Sequence, residues 1–300
     1  MNFTLKQLRY FQSLTHHRQF ARAAAALSIT QPALSLQIKD LEQELGGVLF
    51  ERGPREVRLT SFGEEFAQSV GDILRSIDEL GDLVRTRRNQ LVGRLRLGII
   101  PTIAPYLLPT LIRSLTQSNE GAEIHVRETL TSRLIQELSE GRIDTAIVAL
   151  PVSSPSLTEV PIFSEEFVLV RPEADQNLPV PSSKALQEMR LLLLEEGHCF
   201  RDQALSFCGT QSVVPKETLD ASSLTTLVQM VGAGLGVTLI PEMAISVETG
   251  SAPVSIARFG GTRPSRTIGM IWRKTNPLSS QFEEISKIVK QAADKVYSGL

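Results

Sequence analysis

Residues 19–47 hold the feature that most restricts what this chain can fold into: two short helical segments separated by a tight turn. The first, around Gln19–Ala26, is almost all alanine on its packing face, so another helix can approach it closely. Leu27-Ser28-Ile29-Thr30 breaks it, and a second segment begins with Thr30 placed as N-cap and Pro32 just inside the first turn. Within that segment Leu34, Ile38, Leu41 and Leu45 recur at helical spacing, until Gly46-Gly47 ends the run. Upstream, Leu5, Leu8, Phe11 and Leu14 predict a further helix. Two short helices around a tight turn form a helix-turn-helix, a unit whose second helix enters a DNA major groove.

The polar side chains of the second segment suit that task. Gln31, Ser35, Gln37 and Lys39 point away from the apolar face and are of types that bond base edges or phosphates. Leu49–Thr60 then reads as a hairpin with a basic tip, where Arg52, Arg55 and Arg58 suit the sugar-phosphate backbone. The net charge of −2 hides an asymmetry: residues 1–60 carry eight Lys/Arg against five Asp/Glu, or +3, which leaves −5 for the remainder. Phosphate recognition depends on such local clustering rather than on the overall balance. Periodicity alone equally allows a small helical domain with a polar surface.

The runs LRYFQSL, FARAAAALSITQPALSLQIKDLEQELGGVLFER and RLTSFGEEF closely resemble the N-terminal domain of LysR-type transcriptional regulators. That resemblance implies base contacts from the stretch Thr30–Lys39, Pro32 included, and phosphate contacts from the three wing arginines. After Ser61, Phe66, Val70, Ile73, Ile77, Leu80 and Val84 are spaced 4, 3, 4, 3 and 4 apart, a heptad-like seam that fits pairing with a second copy. A long helix buried against its own domain is the alternative.

From residue 93 strand-like runs alternate with helical ones. Leu95–Ile100, Glu123–Glu128, Thr145–Leu150, Phe167–Arg171, Leu191–Leu194, Val237–Ile240 and Thr267–Trp272 are the expected strands, and the alternation predicts parallel sheets with covering helices. Combined with the LysR resemblance, the expected fold class is α/β. It comprises a winged helix-turn-helix at 1–60, a linker and dimerisation helix at 61–92, and an effector domain at 93–300. The effector domain is expected to hold two α/β subdomains, 93–163 plus 268–300 and 164–267, like a periplasmic binding protein. Residues 281–300 read as one amphipathic helix without chemistry.

The two cysteines, Cys199 and Cys208, are too few for a disulfide framework and, in a reducing compartment, start as thiols. Eight intervening residues are not a zinc spacing, so no metal and no cofactor are expected. Two such residues are otherwise unrelated free thiols, but His198 and Arg201 flank Cys199, and a helix starting after Gly197 would add its N-terminus. All three favour thiolate, with Asp202 able to neutralise Arg201.

GHCFRDQALSFC, IIPTIAPYLLP, ETLTSRLIQELSEGRIDTAIVAL, SLTTLVQMVGAGLGVTLIP and RTIG resemble the peroxide-sensing members of the LysR family. This implies a pocket of Thr102, Thr131, His198, Cys199, Asp202 and Arg266, with Cys208 as resolving thiol. The partners implied are double-stranded promoter DNA, hydrogen peroxide and further copies of the chain. These copies form a homodimer, with a homotetramer favoured, and RNA polymerase is admitted as a further partner. Neither a secretory signal nor a membrane span is read, so a cytoplasmic location is expected. A LysR-type regulator of a small organic or anionic effector and a thiol peroxidase are the competing readings.

Overall fold

Capping chemistry and side-chain size shape the N-terminal part of the computed structural model, which describes residues 3–53, 56–86, 94–118, 121–208, 220–261 and 263–299. The chain divides into two units, residues 1–84 and 85–300. Helix α1 (Leu5–His17) opens with a capping box, in which the Thr4 hydroxyl accepts from the Gln7 N–H while the Gln7 side chain accepts from the Thr4 N–H. Helix α2 (Phe20–Ala26) packs through buried Ala23 and Ala24, and α3 (Gln31–Leu45) is capped by the Thr30 hydroxyl and ended by Gly46 at φ 68°. Leu8, Phe11, Leu14, Leu34, Ile38 and Leu41 form the core of this unit, each worth roughly 2 kcal/mol when fully buried. Leu5, expected on the same stripe, is exposed instead. Nine residues at about 100° each place it opposite Leu14 on the helix.

Strands β1 (Phe50–Arg52) and β2 (Val57–Leu59) pair antiparallel as the wing. The Glu42 carboxylate of α3 accepts from the Leu49 and Phe50 N–H groups and so anchors the wing to the recognition helix. Helix α4 (Ser61–Thr86) starts so close to this hairpin that a Cβ on Gly63 would lie 2.2 Å from the Leu49 carbonyl oxygen. The expected seam of α4 divides. Phe66 and Val70 turn inward with Leu74 onto the core around Phe11, whereas Ile73 and Leu80 are exposed. The side chain of Val84 lies outside the described residues.

The second unit begins with three strands and two helices: β3 (Arg94–Ile99), α5 (Ala104–Ser118), β4 (Glu123–Glu128), α6 (Thr131–Ser139) and β5 (Thr145–Leu150). Next come the long β6 (Leu157–Pro172), α7 (Ser183–Leu186), β7 (Leu193–Leu194), α8 (Cys199–Cys208), β8 (Asp220–Ala221), α9 (Leu224–Gly232) and β9 (Thr238–Pro241). Helix α10 (Ile245–Glu248), β10 (Val254–Ala257), β11 (Ser265–Arg273) and α11 (Ser279–Tyr297) complete it. The main sheet runs β10-β6-β11-β5-β3-β4, with β9 also paired to β6.

Pairing is parallel for β3 with β4, β3 with β5 and β7 with β8. The expectation of parallel sheets is corrected elsewhere, because β11 lies antiparallel to both β5 and β6, and β9 and β10 lie antiparallel to β6. The cause is connectivity. The chain leaves the first group of strands along β6, whose second half carries the β9–β10 group, and returns beside it along β11. An outgoing and a returning segment laid side by side must oppose each other. Thus two α/β subdomains share β6 and β11 as crossovers, and apolar residues from both pack into one contiguous core.

Candidate functional site

The DNA-reading candidates sit on one helix and its wing. Gln31, Pro32 and Lys39 are exposed on α3, Ser35 and Gln37 are half-buried, and the Thr30 hydroxyl is occupied as the cap, accepting from the Ala33 N–H. Arg58 is exposed on β2. Arg55 and the side chain of Arg52 lie outside the described residues. Leu36, which polarity-based reading omits, is 57% exposed on the same helix. Only its place in the helical repeat, off the Leu34–Ile38–Leu41 face, signals that.

In the second unit, helix starts and one turn gather the candidate redox residues. Thr102 lies in the turn between β3 and α5, Thr131 is the first residue of α6, and His198 and Cys199 stand at the entry of α8. Gly197 at φ 95° directs the chain into that helix. Thr102, Thr131, His198 and Cys199 line one cavity of about 10 Å³ together with Ile100, Pro101, Leu130, Gly197 and Phe200, a space on the scale of a single water. The Thr131 hydroxyl oxygen is buried there with no hydrogen-bond partner among the described residues. A second cavity of about 130 Å³ adjoins it, sharing Pro101, Thr102 and His198.

Arg266 reaches this group through Thr102. Its Nη1 donates to the Thr102 hydroxyl at 2.8 Å and its Nη2 to the Thr102 carbonyl at 3.1 Å, and the guanidinium lies over the Phe200 ring at 5.3 Å. Asp202 is exposed on α8 and is not among the residues lining the cavity. The pairing expected between Asp202 and Arg201 is replaced by another. Buried Arg201 turns toward β7 and β8, donating to the Leu194 carbonyl at 2.6 Å and to Asp220 at 2.8 Å. An aspartate one position further along a helix leaves the axis about 100° away, so a neighbouring strand end competes successfully for the guanidinium.

Burial acts on two titratable groups of this region. Burial holds the His198 pKa below its usual value against the opposing pull of Glu195, so its imidazole is neutral at pH 7. Cys199 is the first residue of α8, at the end of the helix where unpaired backbone N–H groups gather. Cys208, at the far end of α8, is buried among apolar side chains, which pushes its pKa up to about 11. Nine helical steps separate the cysteines by roughly 13 Å, whereas a disulfide needs Cα atoms within about 7 Å.

Glu165 was not a candidate from sequence. It precedes the apolar run FVLV, and its only signal is two-residue alternation with Phe167 and Leu169. Its side chain is fully buried against Arg266, 2.7 Å from Nη2. Among the described residues no group of His, Cys, Asp and Glu has the arrangement of a metal site, and no helix is long and apolar enough to cross a membrane.

Residues 5–64 match the family described as bacterial regulatory helix-turn-helix protein, lysR family, and residues 88–294 match the LysR substrate binding domain. The chain is 39% identical over 298 residues to a probable hydrogen peroxide-inducible genes activator of Streptomyces viridosporus, covering 96% of this chain and 94% of that protein. It is 36% identical to the DNA-binding transcriptional dual regulator OxyR of Escherichia coli, covering 97% and 96%. Its structure resembles full-length OxyR from Pseudomonas aeruginosa with a cysteine-to-aspartate mutation (TM-score 0.76, 34% identity, covering 96% and 98%). It also resembles a peroxide-bound cysteine-to-serine mutant of Corynebacterium glutamicum OxyR (TM-score 0.69, 33% identity, covering 99% and 95%).

Proposed function

From the premise that this chain belongs to the LysR family of transcriptional regulators, and within it to the hydrogen peroxide-inducible activators of the OxyR type, we propose that it binds double-stranded promoter DNA and is switched by peroxide oxidation of Cys199. The observation that carries the reading is the placement of the two cysteines at opposite ends of α8. Cys199 faces a water-sized cavity lined by two hydroxyl side chains, while Cys208 is a protonated thiol in the core.

The chemistry follows from that placement. The Cys199 thiolate attacks one peroxide oxygen, the O–O bond breaks, and the departing hydroxide takes a proton to leave as water, so that Cys199 becomes a sulfenic acid. In this reading the buried Thr131 hydroxyl and the Thr102 hydroxyl, which line the cavity with Cys199, bond the two oxygens. The Cys208 thiol then attacks the sulfenic sulfur, giving a disulfide and a second water. Because the cysteines are separated by the length of α8, closure requires α8 to unwind. That refolding is the structural change passed to the assembly.

In this reading the protein acts as a switch whose output is the helix-turn-helix unit, and a thiol-disulfide reductant resets it. The exposed Ile73 and Leu80 of α4 support a homodimer, and we place the working assembly, a homotetramer, in the cytoplasm with RNA polymerase as a further partner. Thr30–Lys39 of α3, with Arg52, Arg55 and Arg58, form the DNA-contacting set in this reading.

Footprinting on the protein's own promoter DNA, under reducing conditions and after peroxide, tests it. The expected result is a footprint whose extent changes on oxidation in the wild type and stays in its reduced form in Cys199→Ser. A peroxide response unaltered by Cys199→Ser, or sustained peroxide consumption by purified protein, overturns it.

A further inference from the structure

Three fully or nearly fully buried polar residues form a chain that ends at the peroxide cavity. Glu165 on β6 and Arg266 on β11 both have completely buried side chains. The Glu165 Oε2 accepts from Arg266 Nε at 2.8 Å, and Oε1 accepts from the Met243 N–H at 3.3 Å. The carboxylate is thus held at both oxygens. Arg266 in turn spends Nη1 and Nη2 on the hydroxyl and carbonyl of Thr102. Its guanidinium lies over Phe200, the neighbour of Cys199 at the start of α8, and over Phe167 at 5.9 Å.

This arrangement excludes one direction for the Thr102 proton. A guanidinium has five donors and no acceptor, so the Thr102 oxygen must accept from Arg266. The Thr102 O–H hydrogen cannot point back at Arg266 and is free to donate to an acceptor in the cavities Thr102 lines, the one it shares with Cys199 among them. A hydroxyl that accepts a charge-assisted bond also becomes a stronger donor. When the peroxide O–O bond breaks, charge develops on the departing oxygen, which is where such a donor is needed. The fork geometry of arginine lets Glu165 and Thr102 be bonded at once only in one orientation, so the carboxylate sets the aim of the guanidinium.

We propose that Glu165 is a positioning residue for the peroxide reaction, acting through Arg266 to aim the Thr102 hydroxyl at the leaving oxygen. The idea rests on peroxide oxidation of Cys199, and the test separates the two. Reduced full-length protein is mixed with hydrogen peroxide, and in parallel with iodoacetamide, and the loss of the Cys199 thiol is followed for each reagent by quenched mass spectrometry. Iodoacetamide reports thiolate availability and access, which a merely structural change also moves, but it has no O–O bond to break.

Glu165→Gln is expected to slow the peroxide reaction about tenfold and to change alkylation less than about twofold. Thr102→Val is expected to show the same split, Thr102→Ser to restore the rate, and the double variant Glu165→Gln/Thr102→Val to be no slower than Thr102→Val alone. Arg266→Lys, which keeps the charge but cannot hold both partners, gives the same split and serves if Glu165→Gln does not fold. Equal slowing toward both reagents, multiplicative effects in the double variant, or an unchanged peroxide rate in Thr102→Val overturns the proposal. If peroxide leaves wild-type Cys199 reduced, the sensing function itself falls instead.

Discussion

Disulfide closure in this protein is predicted to be governed by the helicity of α8, and Ser206 is the place to test it. The cysteines occupy the first and last positions of α8, roughly 13 Å apart by helical rise against a limit of about 7 Å between Cα atoms for a disulfide. The intervening turns must therefore open before Cys208 reaches the oxidised Cys199. Ser206 is exposed on this helix, two residues before Cys208, so substitutions there alter helix propensity with little effect on packing. Alanine and glycine at such a site differ by about 1 kcal/mol in helix stability. If opening precedes closure, Ser206→Gly forms the disulfide about fivefold faster than Ser206→Ala, with the wild type between them. Rapid mixing with peroxide, acid quench and mass spectrometry separate sulfenic acid from disulfide. Loss of the Cys199 thiol should be equally fast in all three proteins, with only the second step differing. Equal closure rates in the two variants, or faster closure with alanine, would refute helix opening as the controlling event.

Alkylation of the reduced protein by iodoacetamide at pH 8 should modify Cys199 more than about tenfold faster than Cys208, since a thiol with pKa about 11 is only about 0.1% thiolate there and is also buried. Thr102→Val should lower unfolding stability in urea by about 2 kcal/mol, because it leaves a buried guanidinium donor unpaired. His198 has a lowered folded-state pKa through burial, so the unfolded chain takes up its proton first as pH falls. Its contribution to stability is complete above about pH 6.5 and declines as pH falls below that toward the folded value, and His198→Asn should remove this part of the acid dependence in chemical denaturation. In the N-terminal unit, Thr30→Ala should cost about 1 kcal/mol of stability through the lost cap. Gln31→Ala should leave stability unchanged and weaken promoter binding in a titration.

Much of this organisation can be read from local patterns, because those patterns act over a few residues. The N-cap at Thr30, the proline in the first turn and the glycine end of α3 are all local, and each is found in place. The strands at Glu123–Glu128 and Thr145–Leu150 follow from alternation and apolar runs within their own six residues. Failures arise where the period or the range is too short. A three-residue stripe drifts around the helix, so Leu5 points to solvent. The α4 seam mixes residues that pack inward with residues left exposed, and the linear sequence does not distinguish them.

The helix-turn-helix and the spacing of Cys199 and Cys208 were determined by sequence alone, since both depend on neighbours a few positions apart. Tertiary structure decided the antiparallel crossovers, the choice of Asp220 over Asp202 as the partner of Arg201, and the line from Glu165 through Arg266 to Thr102. Those last three residues are 63, 101 and 164 positions apart in their pairings. Only the return of β11 beside β6 brings the Glu165 carboxylate and the Arg266 guanidinium together in the buried interior, within reach of Thr102, where a polar group without a partner carries the cost of burial.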